Sequence, residues 1–500
     1  MSLSLMIESP KKSSAFQSRG FKLDRAMKFF FGTNAACSIL ALALITIFLF
    51  REGVDFFPQN AENLRAYRRS GLEFVDIMRS RVDAHQALSR SLQAMRERAL
   101  RKLIAKTGSP EQAATALTDF DAWIAEFDAS TAPLDDLISE LSDIASANKE
   151  AAAAGTQFDI SVLLQALPRY EAASHDVAAK HGELMPRMPL PVAGGEADRK
   201  KFLSEVKAYE AGLSEITSRL AKWNPNTPVP WYRAVTSFLF GSEWITNSFW
   251  QDFYGVVPLF TGSALVSLVA MAIAVPFGVC AAIYVNEVAT LTEQHFIKPY
   301  IEFISAIPSV VLGFFGIAVF GETVRLISQA SFLKWVPFFP ISERLNVFTA
   351  GCLLALMAVP TIFSLSEDAL NNVPRAFKEA SFALGGTRLQ TIVRILVPAS
   401  LSGIISAVLL GFGRVIGETM VVLLCAGNRI AIPDFTQGVG AIFQPVHTMT
   451  GIIAQEMGEV VRGSIHYRAL FMVGMLLFVI SLGLNWAAQA IVRRYRISIG

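Results

Sequence analysis

The sequence is poor in the residues that build disulfide frameworks and metal sites. It has 500 residues but only six histidines and four cysteines, which are Cys37, Cys280, Cys352 and Cys425. Each cysteine lies in an apolar run, and none is spaced from a histidine or from a second cysteine as zinc ligands are. We therefore expect no disulfide, no metal site and no cofactor in this chain.

A nucleotide-binding loop and a strong net charge are also lacking. The pattern G-x-x-x-x-G-K-[ST], whose backbone amides cradle phosphates, occurs nowhere in the sequence. The formal net charge is only +2, so no basic field favours a nucleic acid as partner. Both absences argue against an ATP-hydrolysing enzyme and against a nucleic-acid-binding protein.

Long apolar runs without charge are what the sequence does contain. A bilayer core about 30 Å thick needs about 20 apolar residues in a helix. Five uncharged runs of that size lie at 29–50, 253–286, 303–321, 345–366 and 469–492. A sixth, at 395–428, is interrupted only by Arg414 and Glu418. The sequence therefore predicts an all-α membrane protein with six transmembrane helices.

Positive charge predicts how these helices are oriented, because cytoplasmic flanks retain lysine and arginine. The tail 1–28 and the loop 367–394 are basic, and so is the C-terminal end. The residues concerned are Lys11, Lys12, Arg19, Lys22, Arg25 and Lys28, then Arg375, Lys378, Arg388 and Arg394, and finally Arg493, Arg494 and Arg496. We expect a multi-pass protein of the inner (plasma) membrane with both termini in the cytoplasm. No small-residue cleavage site follows 29–50, so we expect a retained anchor.

The segment 51–252 differs in composition and is predicted to lie outside the membrane. Residues 61–106 contain no proline and repeat apolar side chains at helical spacing, interrupted by Arg81, His85 and Lys102. Further helices are predicted at 110–129, 133–150, 158–182 and 196–222. We expect an antiparallel helical bundle, serving as a spacer or docking surface or as a ligand sensor, and no residue cluster identifies a ligand.

The stretch "EASFALGGTRLQTIVRILVP", residues 379–398, lies in the predicted inner loop. It resembles the EAA loop through which permeases of ABC importers contact their ATPase. The coupling-loop residues that the resemblance implies are Glu379, Ala380, Ser381, Gly385, Ile395 and Pro398. The sequence departs from the usual pattern at Ser381, where alanine is usual, and at Val397, where leucine is usual. Small residues let a short helix fit a groove on a partner, Gly385 permits a sharp helix exit, and Glu379 is expected near a helix start.

The resemblance extends through "IKPYIEFISAIPSVVLGFFG" (297–316) and "LLGFGRVIGETMVVLLCAGN" (409–428). Together with the inner loop, these stretches resemble phosphate-specific importer permeases of the PstC type over about 250–495. The resemblance implies a type I importer core in 253–500, with the bundle 51–252 inserted between the first two helices. It also implies a second homologous permease, two copies of a separate ATPase and a soluble phosphate-binding protein.

Arg414 and Glu418 lie inside the predicted fifth span, where each charge costs about 2.5–3.5 kcal/mol at a helix centre. Four residues apart on a helix, they are able to form an ion pair that locks the bundle. Alternatively, Arg414 attracts an oxyanion that crosses the membrane, and Glu418 accepts a hydrogen bond from protonated phosphate. The alternatives for the whole chain are a permease for sulfate, molybdate or phosphonate, and a membrane receptor with a helical sensor domain.

Overall fold

The computed structural model describes residues 14–190, 196–246, 248, 250–333, 335–336 and 338–495. Several basic residues used to predict orientation lie wholly or with their side chains outside the described part: Lys11, Lys12, Arg19, Lys22, Arg25, Arg494 and Arg496. The chain divides into two compact units. We call Phe57–Gly255 the outer unit, after its predicted location, and the chain before and after it the membrane unit.

The membrane unit begins with helix α1, Ser14–Val54, which contains the first predicted span. The outer unit is helical throughout apart from one short antiparallel hairpin. Its helices are α2 (Phe56–Arg69), α3 (Leu72–Thr107), α4 (Pro110–Thr115), α5 (Thr118–Asp128), α6 (Ala132–Ala153), α7 (Ser161–Leu164), α8 (Leu167–Leu184), α9 (Glu196–Ala221) and α10 (Trp231–Phe240). Strands β1 (Trp244–Ile245) and β2 (Phe253–Tyr254) pair to form the hairpin.

The single helix predicted over 61–106 is wrong in one place, because the chain breaks between α2 and α3. Gly71 has φ +86°, a left-handed conformation that side chains with a Cβ rarely adopt. A Cβ at Gly71 would also lie only 2.3 Å from the Cδ1 atom of Leu163. Glycine at this position therefore lets α7 approach the break closely.

The core of the outer unit is formed along one face of α3. The predicted apolar repeat is confirmed there, since Met78, Leu92 and Met95 are buried in one cluster with residues of α5, α6 and α9, which pack on α3. His85 was predicted to interrupt this repeat, but its side chain is only 2% exposed. The histidine belongs to the core because two aromatic rings and a serine hydroxyl surround it.

The rest of the membrane unit is built from helices that follow the hairpin. They are α11 (Val257–Ile283), α12 (Leu291–Ser305), α13 (Ser309–Phe315), α14 (Gly321–Ser328), α15 (Val347–Asn371), α16 (Arg375–Ala383), α17 (Arg388–Thr391), α18 (Val397–Gly417), α19 (Met420–Cys425), α20 (Met449–Glu456) and α21 (Ile465–Tyr495). Wider π turns occupy Tyr284–Val288, Gly316–Phe320 and Ile392–Leu396.

In the described part of the chain, six helical segments are long and apolar enough to cross a membrane, as predicted. The third begins at Ser309 and ends at Ser328, so the prediction of 303–321 is displaced. Pro308 starts a new helix, which leaves 303–305 in α12. Beyond residue 321 the charges of Glu322 and Arg325 are paired at 2.6 Å, which lowers the cost of extending the helix.

Helix α15 lies at the centre of the membrane unit, between α11 and α18. Close approach is possible because glycines face it from both sides. A Cβ at Gly278 of α11 would lie 2.9 Å from Ile362, and one at Gly411 of α18 would lie 2.7 Å from the same side chain. Gly403 meets Ala369 in the same way. These contacts fix the register of α18 against α15.

Candidate functional site

The predicted fifth span does not continue as one helix to residue 428. Helix α18 ends at Gly417, and Glu418 has an extended backbone with φ −72° and ψ 136°. Helix α19 then starts at Met420. The prediction that Arg414 and Glu418 lie one turn apart on a continuous helix is therefore wrong. Among the described residues, no ion pair joins the two side chains.

The break leaves backbone groups that need partners inside a membrane segment. The hydroxyl of Thr450, in the first turn of α20, donates to the carbonyl of Glu418 at 2.9 Å. The amide of Glu418 donates to the carbonyl of Val415 at 3.3 Å. Irregular backbone at membrane depth is tolerated where it is buried in protein or lines a water-filled cavity. The break thus places a polar corner next to Arg414.

Arg414 has a neutral hydrogen-bond partner and an exposed side chain. Its Nη1 atom donates to the Oγ1 atom of Thr361 on α15 at 3.0 Å. That contact follows from the packing of Gly411 on Ile362, which sets the next turn of α18 beside Thr361. No carboxylate of the described chain lies within salt-bridge distance of the guanidinium. Its remaining N–H donors are consequently able to bind an oxyanion in the paired geometry that guanidinium offers.

The loop predicted to contact an ATPase folds as the short helix α16 followed by a sharp turn. Gly385 has φ +80° just beyond the end of α16, which confirms that it provides the helix exit. Ser381 is buried and bonds to the hydroxyl of Thr391 at 2.8 Å. Glu379, Ala380 and Gly385 are exposed. Helix α16 therefore has one face on the membrane unit and one face in solvent.

The structure also gives the positions of Glu379, Ile395 and Pro398 relative to the ends of their helices. Glu379 is the fifth residue of α16 rather than part of its first turn, because the helix already starts at Arg375. Ile395 lies half-buried in the π turn that precedes α18. Pro398 is the second residue of α18 and directly follows the π turn, so its missing N–H falls within the continuous span Arg388–Gly417.

The sequence alone did not single out Thr361, Thr450 or two ion pairs close to α16 and α12. Lys378, next to Glu379, pairs with Glu287 at 2.5 Å, and Lys298 pairs with Glu367. The glutamates are the ones with low exposure, 8% and 11% of the side chain. Charges beside an apolar run were the available signal, but their partners are about 70 to 90 positions away along the chain.

The outer unit holds a buried polar cluster of its own. The hydroxyl of Ser130 lies 3.3 Å from Nε2 of His85 and 3.0 Å from Nε2 of His181. Phe127 stacks on both imidazole rings. Burial lowers the pKa of His85 to about 4, and burial together with the neighbouring His85 lowers the pKa of His181 to about 4. Both rings are neutral near pH 7 for that reason.

Residues 274–497 match the family of the binding-protein-dependent transport system inner membrane component. The probable ABC transporter permease protein YqgH of Bacillus subtilis is 35% identical over 245 residues, which are 48% of this chain and 74% of that protein. The phosphate transport system permease protein PstC of Haemophilus influenzae is 31% identical over 253 residues, 48% of this chain and 78% of that protein.

This chain belongs to that permease family. It is an ABC importer permease subunit that spans the membrane several times, and the family match lies in the membrane unit. PstC of Pasteurella multocida is 30% identical over 253 residues, 49% of this chain and 76% of its own length. A solved MetNI methionine ABC transporter chain shares 20% identity over 49% of this chain and 95% of its own, with a TM-score of 0.35.

Proposed function

We propose that this permease is the membrane subunit of an ATP-driven importer of inorganic phosphate. The observation that carries the proposal is Arg414, a guanidinium exposed in a membrane helix whose recorded partner is the neutral hydroxyl of Thr361. An intramembrane charge of this kind marks an ion or substrate path by default. The relatives named PstC, which belong to phosphate transport systems, support phosphate as the anion.

Glu418 adds selectivity in this proposal. Phosphate near neutral pH still carries a proton and donates a hydrogen bond to a carboxylate, whereas sulfate has no proton to donate and is repelled. Glu418 is half-buried at the helix break, four positions after Arg414. With the two side chains unpaired, both are available to one tetrahedral anion.

Helix α16 provides the docking surface for the separate ATPase in this proposal. Its solvent face carries Glu379, Ala380 and Phe382, the last 44% exposed, and the following Leu384 is 89% exposed. Apolar side chains that project from a short helix suit a groove on a partner. ATP is hydrolysed by that partner, of which the importer contains two copies, and a second homologous permease completes the pathway.

A soluble phosphate-binding protein delivers the anion from outside, with both termini of the permease in the cytoplasm of the inner-membrane complex. The proposal predicts phosphate uptake in cells that lack their own high-affinity system and receive the whole importer. Excess arsenate, which carries the same proton, should compete, and excess sulfate should not. If sulfate or molybdate competed and arsenate did not, the substrate would be another oxyanion and not phosphate.

The role of Glu418 is tested separately with Glu418→Gln. The amide of glutamine carries no charge and both donates and accepts hydrogen bonds, so the variant no longer repels sulfate. The sulfate concentration that halves phosphate uptake should therefore be about tenfold lower than in the parent. Glu456→Gln is the matched control, since Glu456 bonds to His466 at 2.7 Å elsewhere in the unit. Sulfate competition unchanged in Glu418→Gln would remove Glu418 from the selectivity mechanism.

A further inference from the structure

The inner end of the membrane unit contains a connection between α16 and the transmembrane helices. Lys378 and Ser381 lie three positions apart on α16, so they share the face that contacts the membrane unit. Glu379, Ala380 and Leu384 lie outside that face and are exposed. The helix thus separates the residues offered to a partner from the residues that hold it in place.

The first contact of the inward face is electrostatic. Lys378 Nζ lies 2.5 Å from Oε2 of Glu287, whose side chain is 8% exposed. Glu287 belongs to the π turn Tyr284–Val288 that continues α11. A buried carboxylate that loses its cation is left as an uncompensated charge, which is strongly unfavourable. Displacing α16 therefore either breaks this pair at high cost or draws the end of α11 with it.

The position of Glu287 in a π turn suits such a connection. A π turn is a wider turn within a helix, and these turns are frequent at functional sites. Gln294 of α12 donates to the carbonyl of Val285 in the same turn at 2.9 Å. The π turn is thereby joined to α16 through Glu287 and to α12 through Gln294.

The second contact leads to the helix that carries Arg414. The hydroxyl of Ser381 bonds to that of Thr391, and both side chains are buried. Thr391 is followed by the π turn Ile392–Leu396 and then by α18, which form one continuous span from Arg388 to Gly417. Helix α16 is consequently fastened to α11 through a charge pair and to α18 through a hydroxyl pair.

We propose that the Lys378–Glu287 pair is the joint that passes movement of the coupling helix α16 into α11, making both residues positioning residues for transport. The inference rests on the proposed function, since it assumes that an ATPase acts on α16. It predicts that neutralising the pair separates ATP hydrolysis from transport. A group that only stabilises the fold would lower both activities together.

The experiment uses the complete importer in proteoliposomes, with ATP hydrolysis and anion uptake measured on the same preparation. The double neutral variant Lys378→Met with Glu287→Gln leaves no unpaired buried charge. It should co-purify with the ATPase as the parent does, because the exposed face is unchanged. The ATP hydrolysed per anion transported should rise by about fivefold or more.

Two further variants keep the test specific. Lys378→Glu with Glu287→Lys exchanges the charges and should return the ratio to within about twofold of the parent. Lys298→Met with Glu367→Gln removes the other inner ion pair, which joins α12 to α15 without involving α16. That variant should keep the parental ratio.

An unchanged ratio in the Lys378→Met, Glu287→Gln variant would overturn the proposal, and so would an equal rise in the control. Loss of the ATPase on co-purification would also overturn it, since the pair would then serve docking. If the parent transports another oxyanion in place of phosphate, the proposed substrate is wrong. The ATP hydrolysed per anion transported, measured with that other anion, then still tests the ion pair.

Discussion

A carboxylate of the outer unit and a guanidinium of the membrane unit have opposite surroundings. In the outer unit, Glu73 accepts hydrogen bonds from Arg68 at 2.5 and 3.0 Å, from Trp223 at 3.2 Å and from Arg233 at 3.3 Å. In the membrane unit, Arg414 has a neutral partner and remains exposed. Glu73 is thus satisfied within its own unit, whereas Arg414 keeps guanidinium N–H donors for a further ligand, as the proposed function requires.

The outer bundle also lies outside the family match, which covers 274–497. Its core encloses large apolar side chains completely, among them Phe74, Phe127 and Phe202. The membrane unit instead exposes apolar side chains along α1 and reserves glycine for helix contacts. Each unit should therefore respond to a different kind of substitution.

The largest effect is expected in the core of the outer unit. Phe127 is fully buried and stacks on His85, His181 and Trp123. Phe127→Ala should lower the free energy of unfolding of the outer helices by about 3–5 kcal/mol. Hydrogen exchange of the full-length protein would measure it, with exchange in α15 unchanged.

Phe158→Ala is the matched control for that comparison, because Phe158 is 36% exposed. It should change exchange in the outer helices little. Equal acceleration of exchange in α15 by Phe127→Ala would show that the two units do not unfold separately.

The second effect is a pH dependence confined to the outer unit. His85 and His181 have a pKa of about 4 when folded and about 6.5 when unfolded. The unfolded chain therefore binds protons first as the pH falls. The contribution of the two neutral histidines to the free energy of unfolding is complete above about pH 6.5 and is lost towards pH 4. Each histidine accounts for about 1–2 kcal/mol between pH 7.5 and 5.

This loss of stability is measurable as faster amide hydrogen exchange in α3 and α8 at pH 5, relative to exposed amides of the same protein. Tyr209 lies against both rings, and a carboxylate oxygen of Glu210 lies 3.9 Å from Nδ1 of His181. Replacing both histidines by Phe should flatten the dependence between pH 6.5 and 5 whatever its effect at pH 7.5. An unaltered slope in that variant would assign the dependence to the carboxyl groups.

The smallest of the three effects concerns helix contact in the membrane unit. A Cβ at Gly411 would lie 2.7 Å from Ile362, whereas one at Gly413 meets nothing within 4 Å in this chain. Gly411→Val should cost about 1–3 kcal/mol by forcing α18 away from α15. Thermal unfolding in detergent would show a lower midpoint for Gly411→Val than for Gly413→Val, and equal midpoints would contradict the observed packing.

Sequence predicted most of the helices because apolar periodicity and run length are local signals. The helices at 133–150 and 196–222 are found at Ala132–Ala153 and Glu196–Ala221, and the described residues contain six helical segments able to span a membrane, as predicted. Gly385 was assigned correctly because a left-handed helix exit favours glycine.

What the sequence did not predict depends on contacts between distant segments. The break at Glu418 is stabilised by Thr450, and the burial of His85 by Ser130 and His181. Arg414 and Glu418 stand out in the sequence as charges in an apolar run, but their predicted pairing assumed a regular helix. Thr361 could have been suspected as a polar residue beside Pro360 in a span, although nothing local linked it to Arg414.

The most direct test of the account is phosphate uptake by the complete reconstituted importer carrying Arg414→Ala, beside Arg344→Ala as a second arginine of the same unit. The Arg414 variant should assemble and lose uptake by about a hundredfold or more, the order expected when a charge that contacts substrate is removed. The Arg344 variant should transport at nearly the parental rate. Normal uptake by assembled Arg414→Ala would contradict the account and make this arginine a structural residue.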